Sequence, residues 1–187
     1  MADMIGVGMS IAQQAHALGA NTFVYFSGRQ LFPWELANKE LIEQKCNELG
    51  IQFVNITIAD SAESYHLSEI YEQLIFDNVT RMVGRYGKDT AFFGIADFGL
   101  SFRMQNHLIN AVISEKAILP NSGLPASYFG ALWHIFDIPI WSDWYVLRAS
   151  DEVIADIRAA LSEKNMLGRI STHSAVPDAH LYIYVVS

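Results

Sequence analysis

Three short polar clusters hold the side chains of this chain best suited to chemistry, and each follows directly on an apolar run. Ser27, Arg29 and Gln30 follow Thr22-Phe23-Val24-Tyr25-Phe26, Asp60 follows the run from Ile51 to Ile56, and Asp97 and Phe98 follow Thr90 to Ile95. The planar guanidinium of Arg29 can fork onto a carboxylate or a phosphate, and can equally pair with a surface acid. Asp60 can accept a hydrogen bond from a ligand hydroxyl or amine, and can equally cap the helix announced by Asp60-Ser61-Ala62-Glu63. Asp97, within Gly94-Ile95-Ala96-Asp97-Phe98-Gly99, suits a sugar hydroxyl or an amine and also suits a turn. All of these are means of gripping a small polar molecule.

Machinery for breaking bonds is much harder to find. Gly6-Val7-Gly8 lacks both a preceding strand and the third glycine of a nucleotide loop. The six histidines, His16, His66, His107, His134, His173 and His180, show no paired spacing on one helix face and no cysteine partner, so no metal is expected. There is no Gly-x-Ser-x-Gly elbow, and Ser101 and Ser127 have no visible base. The single Cys46 cannot form an internal disulfide, and its register with Ile42 and Leu49 reads as a core position. The sequence therefore assigns no catalytic residue and no cofactor.

A site at strand ends requires strands that end together, and the chain's punctuation predicts them. Three times a helical pattern runs into a glycine and then a strand: His16-Ala17-Leu18-Gly19 before Thr22, Asn47-Glu48-Leu49-Gly50 before Ile51, and Arg85-Tyr86-Gly87 before Thr90. Glycine ends a helix cheaply, and each apolar run after it reads as a strand buried on both faces. The glycines are spaced by about one strand, one crossover helix and two loops. The fold class that follows is α/β: a three-layer αβα arrangement around a mainly parallel, Rossmann-like sheet, in one domain over residues 1–187. Such sheets take ligands at the carboxyl ends of their strands.

Around that sheet the helices show apolar stripes. The first, running to Leu18, carries Ile5, Met9, Ala12 and His16, and the second, after Pro33, carries Leu36, Ile42, Cys46 and Leu49. The third shows Ile70, Leu74, Val79, Met82, Val83 and Tyr86, and the fourth, Phe102 to Lys116, shows Met104, Leu108 and Val112. A short strand at Ala117–Leu119 meets the turn Pro120-Asn121-Ser122-Gly123, a fifth helix runs from Ser150 to near Gly168, and Leu181–Val186 reads as a closing strand. The irregular segment between Ser122 and Ser150 crowds Trp133, Trp141 and Trp144 together, either closing one end of the core or lining a pocket.

Composition excludes whole classes of function. With 12 basic against 20 acidic residues, a formal charge of −8 and no basic cluster, the chain has no footprint for nucleic acid. Its 51% hydrophobic content supports a packed core. The apolar stretch Ala126–Leu147 is broken by His134, Asp137, Pro139, Ser142 and Asp143, so no transmembrane span is expected. The opening Met1-Ala-Asp-Met-Ile-Gly-Val-Gly lacks the pattern of a signal peptide and reads as the start of a helix.

Longer stretches carry a resemblance. Asn21-Thr-Phe-Val-Tyr-Phe-Ser27 with Arg29, Lys45-Cys46, Glu48-Leu-Gly-Ile-Gln-Phe-Val54, Arg85-Tyr-Gly-Lys-Asp-Thr-Ala-Phe-Phe93, Met104-Gln105, Leu108-Ile109, and Gly168-Arg169 with Ser171-Thr172 resemble a family of uncharacterised bacterial secreted lipoproteins. That family is similar to periplasmic solute-binding proteins of the sugar-receptor type, in which two α/β lobes close on a ligand. The resemblance implies that this chain is the second lobe of an exported, lipid-anchored or periplasmic receptor, with a partner lobe or partner chain opposite it. It implies Ser27, Arg29, Asp60 and Gln105 as cleft-facing residues, to which placement at the strand ends adds Asp97 and Asn106. Two other readings use the same edge: a small α/β enzyme with Asp97 as base and Arg29 as anion clamp, and an interaction module docking through Ala126–Trp144.

Overall fold

Every helix-to-strand junction in the described chain turns through left-handed backbone. The computed structural model describes residues 4–27, 33–58, 68–94, 101–120, 135 and 151–171. In chain order these form α1 (Met4–Ala17), β1 (Thr22–Ser27), α2 (Pro33–Glu48), β2 (Gln52–Thr57), α3 (Ser68–Tyr86), β3 (Thr90–Gly94), α4 (Ser101–Glu115) and α5 (Asp151–Glu163). Gly19, Gly50 and Gly87 sit at φ +86°, +72° and +87°, so the three predicted stops are real. At Gly50 the geometry is that of a Schellman cap, with the Ile51 amide donating to the Cys46 carbonyl at 2.8 Å.

Two further stops use residues that carry a Cβ. Lys116 (φ 54°) and Asn165 (φ 57°) end α4 and α5 in the same way, with Ala117 N–H donating to Val112 at 3.0 Å and Met166 N–H to Leu161 at 2.7 Å. Asn tolerates this conformation better than most residues, whereas Lys is held there against its preference. The fifth helix accordingly ends at Glu163, and the segment up to Gly168 (φ 80°) is turn rather than the helix expected there.

The strands pair in parallel in the order β2-β1-β3, with Thr22 opposite Gln52 and Thr90, and Phe26 opposite Ile56 and Gly94. Beyond β3 the parallel order continues through single bridges, Ala91 to Ile118 and Leu119 to Ile170, so the short strand expected at Ala117–Leu119 is present in reduced form. This is a Rossmann-like αβα arrangement.

The sheet is covered on both faces. One face presents Phe23, Tyr25, Ala91 and Phe93 to Ile11, Ala12 and Ala15 of α1 and to Ile42 and Cys46 of α2. The other presents Val24, Phe26 and Phe92 to Ile75, Val79, Met82 and Val83 of α3, Leu108, Ile109 and Val112 of α4, and Ile157 and Leu161 of α5.

Three sequence expectations are corrected. β2 is not buried on both faces: Gln52, Asn55 and Thr57 are exposed and Phe53, Val54 and Ile56 half-buried, because among the described strands it pairs with β1 alone and forms the edge. On α1 the buried face is Ile11, Ala12 and Ala15, while Met9 and His16 are exposed; the alanines let α1 pack closely. On α2 Leu36 is exposed, and the buried stripe is Glu35, Asn38, Ile42 and Cys46. Asp60–Glu63, Trp133, Trp141, Trp144 and Leu181–Val186 lie outside the described residues. No described helix is long and apolar enough to cross a membrane.

Candidate functional site

Chain order and strand order disagree at one place, and that place defines a crevice. From β1 the chain moves to β2 on one side through α2, then returns across the sheet through α3 to β3 on the other side. The carboxyl ends of β1 and β3 therefore lie side by side with their connections diverging, the switch point at which open parallel sheets take ligands. In a parallel crossover the helix runs back antiparallel to its strand, so the N-termini of α2 and α4, Pro33 and Ser101, belong to this same edge. Proline at the first helical position of α2 removes one of the four amides a helix start leaves unpaired, and those that follow give the edge a partial positive charge.

Ser27 ends β1 at this edge, only 4% exposed, and its carbonyl accepts the Ile58 amide at 2.8 Å. Next to it Gly94 ends β3 without a side chain. A Cβ there would lie 3.3 Å from Phe26 Cβ and 4.0 Å from Leu108 Cδ2, so the residue is held small by close packing of the two strand ends. Beneath them Phe26 and Phe92 stack with ring centroids 6.1 Å apart. On the opposite face Tyr25 lies between Phe53 and Phe93, at 6.1 and 5.9 Å.

Of the residues expected at the site, Ser27 is at the switch point, and Gln105 and Asn106 fall early in α4, the helix that follows β3. The Phe26–Gly94 pairing brings the carboxyl ends of β1 and β3 together. Arg29, Gln30, Asp60, Asp97 and Phe98 lie outside the described residues. Among the described residues, no group of three His, Cys, Asp or Glu is disposed to hold a metal ion.

The sequence reading missed a polar group on the α2 side. Glu35 and Asn38 are 6% and 5% exposed and Tyr25 is wholly buried, yet among the described residues the Tyr25 hydroxyl and Asn38 Oδ1 have no hydrogen-bond partner. Each such orphan costs about 1–3 kcal/mol of desolvation. Burial raises the Tyr25 phenol well above its ordinary pKa, and the nearby Glu35 carboxylate raises it further. Burial likewise pushes the Cys46 thiol up to about 12, with the Glu43 carboxylate adding to the effect. Positions 35, 38, 42 and 46 share helical spacing, but the stripe through Leu36 is the more apolar and the sequence does not choose between them.

An open parallel sheet in the order β2-β1-β3, covered by helices on both faces, defines the class of Rossmann-like α/β domains. Within it, the chain belongs to a protein family of unknown function, DUF3798, whose model matches residues 1–171. No curated protein matches the chain. Among solved structures it is similar to a Clostridium difficile 630 protein named "Putative transcriptional regulator", with a TM-score of 0.76 at 16% identity. The match covers 89% of this chain and 45% of that one, so the chain spans under half the length of its structural relative. At that identity the likeness shows the shared fold.

Proposed function

We propose that this chain is a non-catalytic ligand-binding lobe that takes a small polar molecule at the carboxyl ends of β1 and β3. The observation that carries the reading is the β1/β3 switch point, where Ser27, the small Gly94 and the N-termini of α2 and α4 converge. The greater length of the structural relative supports a second lobe closing over the same edge, as in a two-lobed solute-binding protein. Membership of an exported, lipid-anchored receptor is part of this proposal and rests on the sequence resemblance. The name of the Clostridium difficile protein supports a sensory variant of the same idea, in which the lobe reports a ligand to a regulator.

A single lobe holds half a cleft, so weak binding is expected. The test is a thermal-melt screen of neutral, anionic and cationic metabolites, repeated with Gly94→Val. A branched side chain at Gly94 would press on Phe26 and distort the strand end. Compounds that stabilise the wild type should lose their effect in this variant, provided that circular dichroism shows it folded. Undiminished stabilisation in a folded Gly94→Val protein would remove the site from this edge.

A further inference from the structure

The stripe of α2 that faces the sheet changes character along its length. Away from the carboxyl edge it is Ile42 and Cys46, both fully buried. Toward that edge it becomes Asn38 and Glu35, still buried, while Leu36 is 45% exposed on another side of the helix. A helix built only to cover a sheet would do the reverse. Tyr25 belongs to the same buried cluster as Ile42 and Cys46, and the Glu35 carboxylate is near enough to oppose its ionisation. Two oxygens in this stretch, the Tyr25 hydroxyl and Asn38 Oδ1, are buried without partners among the described residues.

We infer that Tyr25, Asn38 and Glu35 form a binding site for the primary ammonium group of a small ligand, set at the first turns of α2 beside the switch-point crevice. The assignment rests on the ligand-binding reading above and names the chemistry of the ligand. An alkylammonium carries three N–H donors and no acceptor, and the side chains of Tyr25, Asn38 and Glu35 offer it oxygen acceptors on one buried stretch. A carboxylate has several lone-pair sites, so Glu35 can accept an ammonium beside the contact it already makes. An anion is disfavoured: Glu35 itself occupies the first turn of α2, where an anion would otherwise bind. The rings of Phe23, Phe53 and Phe93 packed about Tyr25 give its hydroxyl apolar surroundings, in which a hydrogen bond is stronger than in water.

The test titrates the full chain with butylamine, using butanol and butyrate as matched neutral and anionic controls, against wild type, Tyr25→Phe and Asn38→Leu. Butylamine about tenfold above its dissociation constant should raise the wild-type Tm by roughly 3–6 °C, and the controls should not. Both variants should melt no lower than wild type without ligand, since each removes an orphaned polar atom, and should lose at least about tenfold in amine affinity. Two results overturn the proposal: a wild type indifferent to butylamine, as when a water fills the place, or folded variants that bind it undiminished. If neutral or anionic compounds bind at the carboxyl edge while amines do not, the lobe reading stands and the ammonium site falls.

Discussion

The two helical layers cover one sheet by different means. The α3, α4 and α5 layer is apolar from Ile75, Val79 and Val83 through Ile109 and Val112 to Ile157 and Leu161, and the polar residue it buries, Asn78, is paired, its amide donating to the Leu74 carbonyl at 2.8 Å. The α1 and α2 layer is apolar only where Ile11, Ala15, Ile42 and Cys46 meet Phe23, and it ends in Glu35, Asn38 and the Tyr25 hydroxyl. Stability is concentrated in the first layer, and unpaired polar atoms are carried in the second, on the side nearer the carboxyl ends of the strands. Buried groups that weaken a fold and persist are the usual mark of a site. The contrast makes the α2 side of the carboxyl edge the place where the proposed site is to be tested.

The contrast breaks most severely at its apolar side. Phe92 is fully buried on the α3 and α4 face, and Phe92→Ala should cost about 3–5 kcal/mol, read as a lower denaturant midpoint at unchanged slope. A loss under about 1 kcal/mol would mean that this layer does not carry the fold.

Smaller effects come from the junctions that set strand level. Gly50 holds φ +72° with open space around it, so Gly50→Ala should cost about 1–2 kcal/mol through backbone strain alone. Lys116→Gly should do the opposite and stabilise by about 0.5–1 kcal/mol. Equal effects of like sign in chemical denaturation would contradict the shared geometry of these stops.

The polar-edged layer also has its own pH signature. The Cys46 thiol sits at about 12 in the fold against 9.0 when exposed, and Tyr25 is raised as well. The folded chain therefore keeps protons that the unfolded chain releases. The stability this contributes is complete below about pH 9 and is lost as pH rises toward 12. Denaturant midpoints should fall through that window, and Cys46→Ala should flatten the fall; an unchanged slope in the variant would place the titration elsewhere. Least of all should respond the exposed Thr80–Glu115 hydrogen bond between α3 and α4, 2.7 Å long, whose removal by Glu115→Ala should stay within about 0.5 kcal/mol.

Much of the architecture was legible because glycine writes it plainly. Gly19, Gly50 and Gly87 marked three strand starts correctly, and Lys116 and Asn165 went unread because a residue with a Cβ gives no comparable sign. The edge position of β2 was written in Gln52, Asn55 and Thr57, which a strand covered on both faces would not carry. Ser27 could be placed from its position after an apolar run. Tyr25, Glu35 and Asn38 could not, since Tyr25 reads as one more aromatic in a buried strand. Leu36 beside Glu35 also suggests an ordinary amphipathic helix, and only the rotation of α2 about its axis reveals which stripe is buried.

The central claim is that ligand binds at the carboxyl edge between β1 and β3, and backbone amide chemical shifts test it most directly. A uniformly 15N-labelled chain titrated with stabilising compounds from the melt screen should show perturbations at Ser27, Ile58, Gly94 and the first turns of α2 and α4. The amides of Asn21, Gly50 and Lys116, at the opposite end of the strands, should stay unmoved. Perturbations centred on that opposite end, or on the outer surface of α5, would contradict the account.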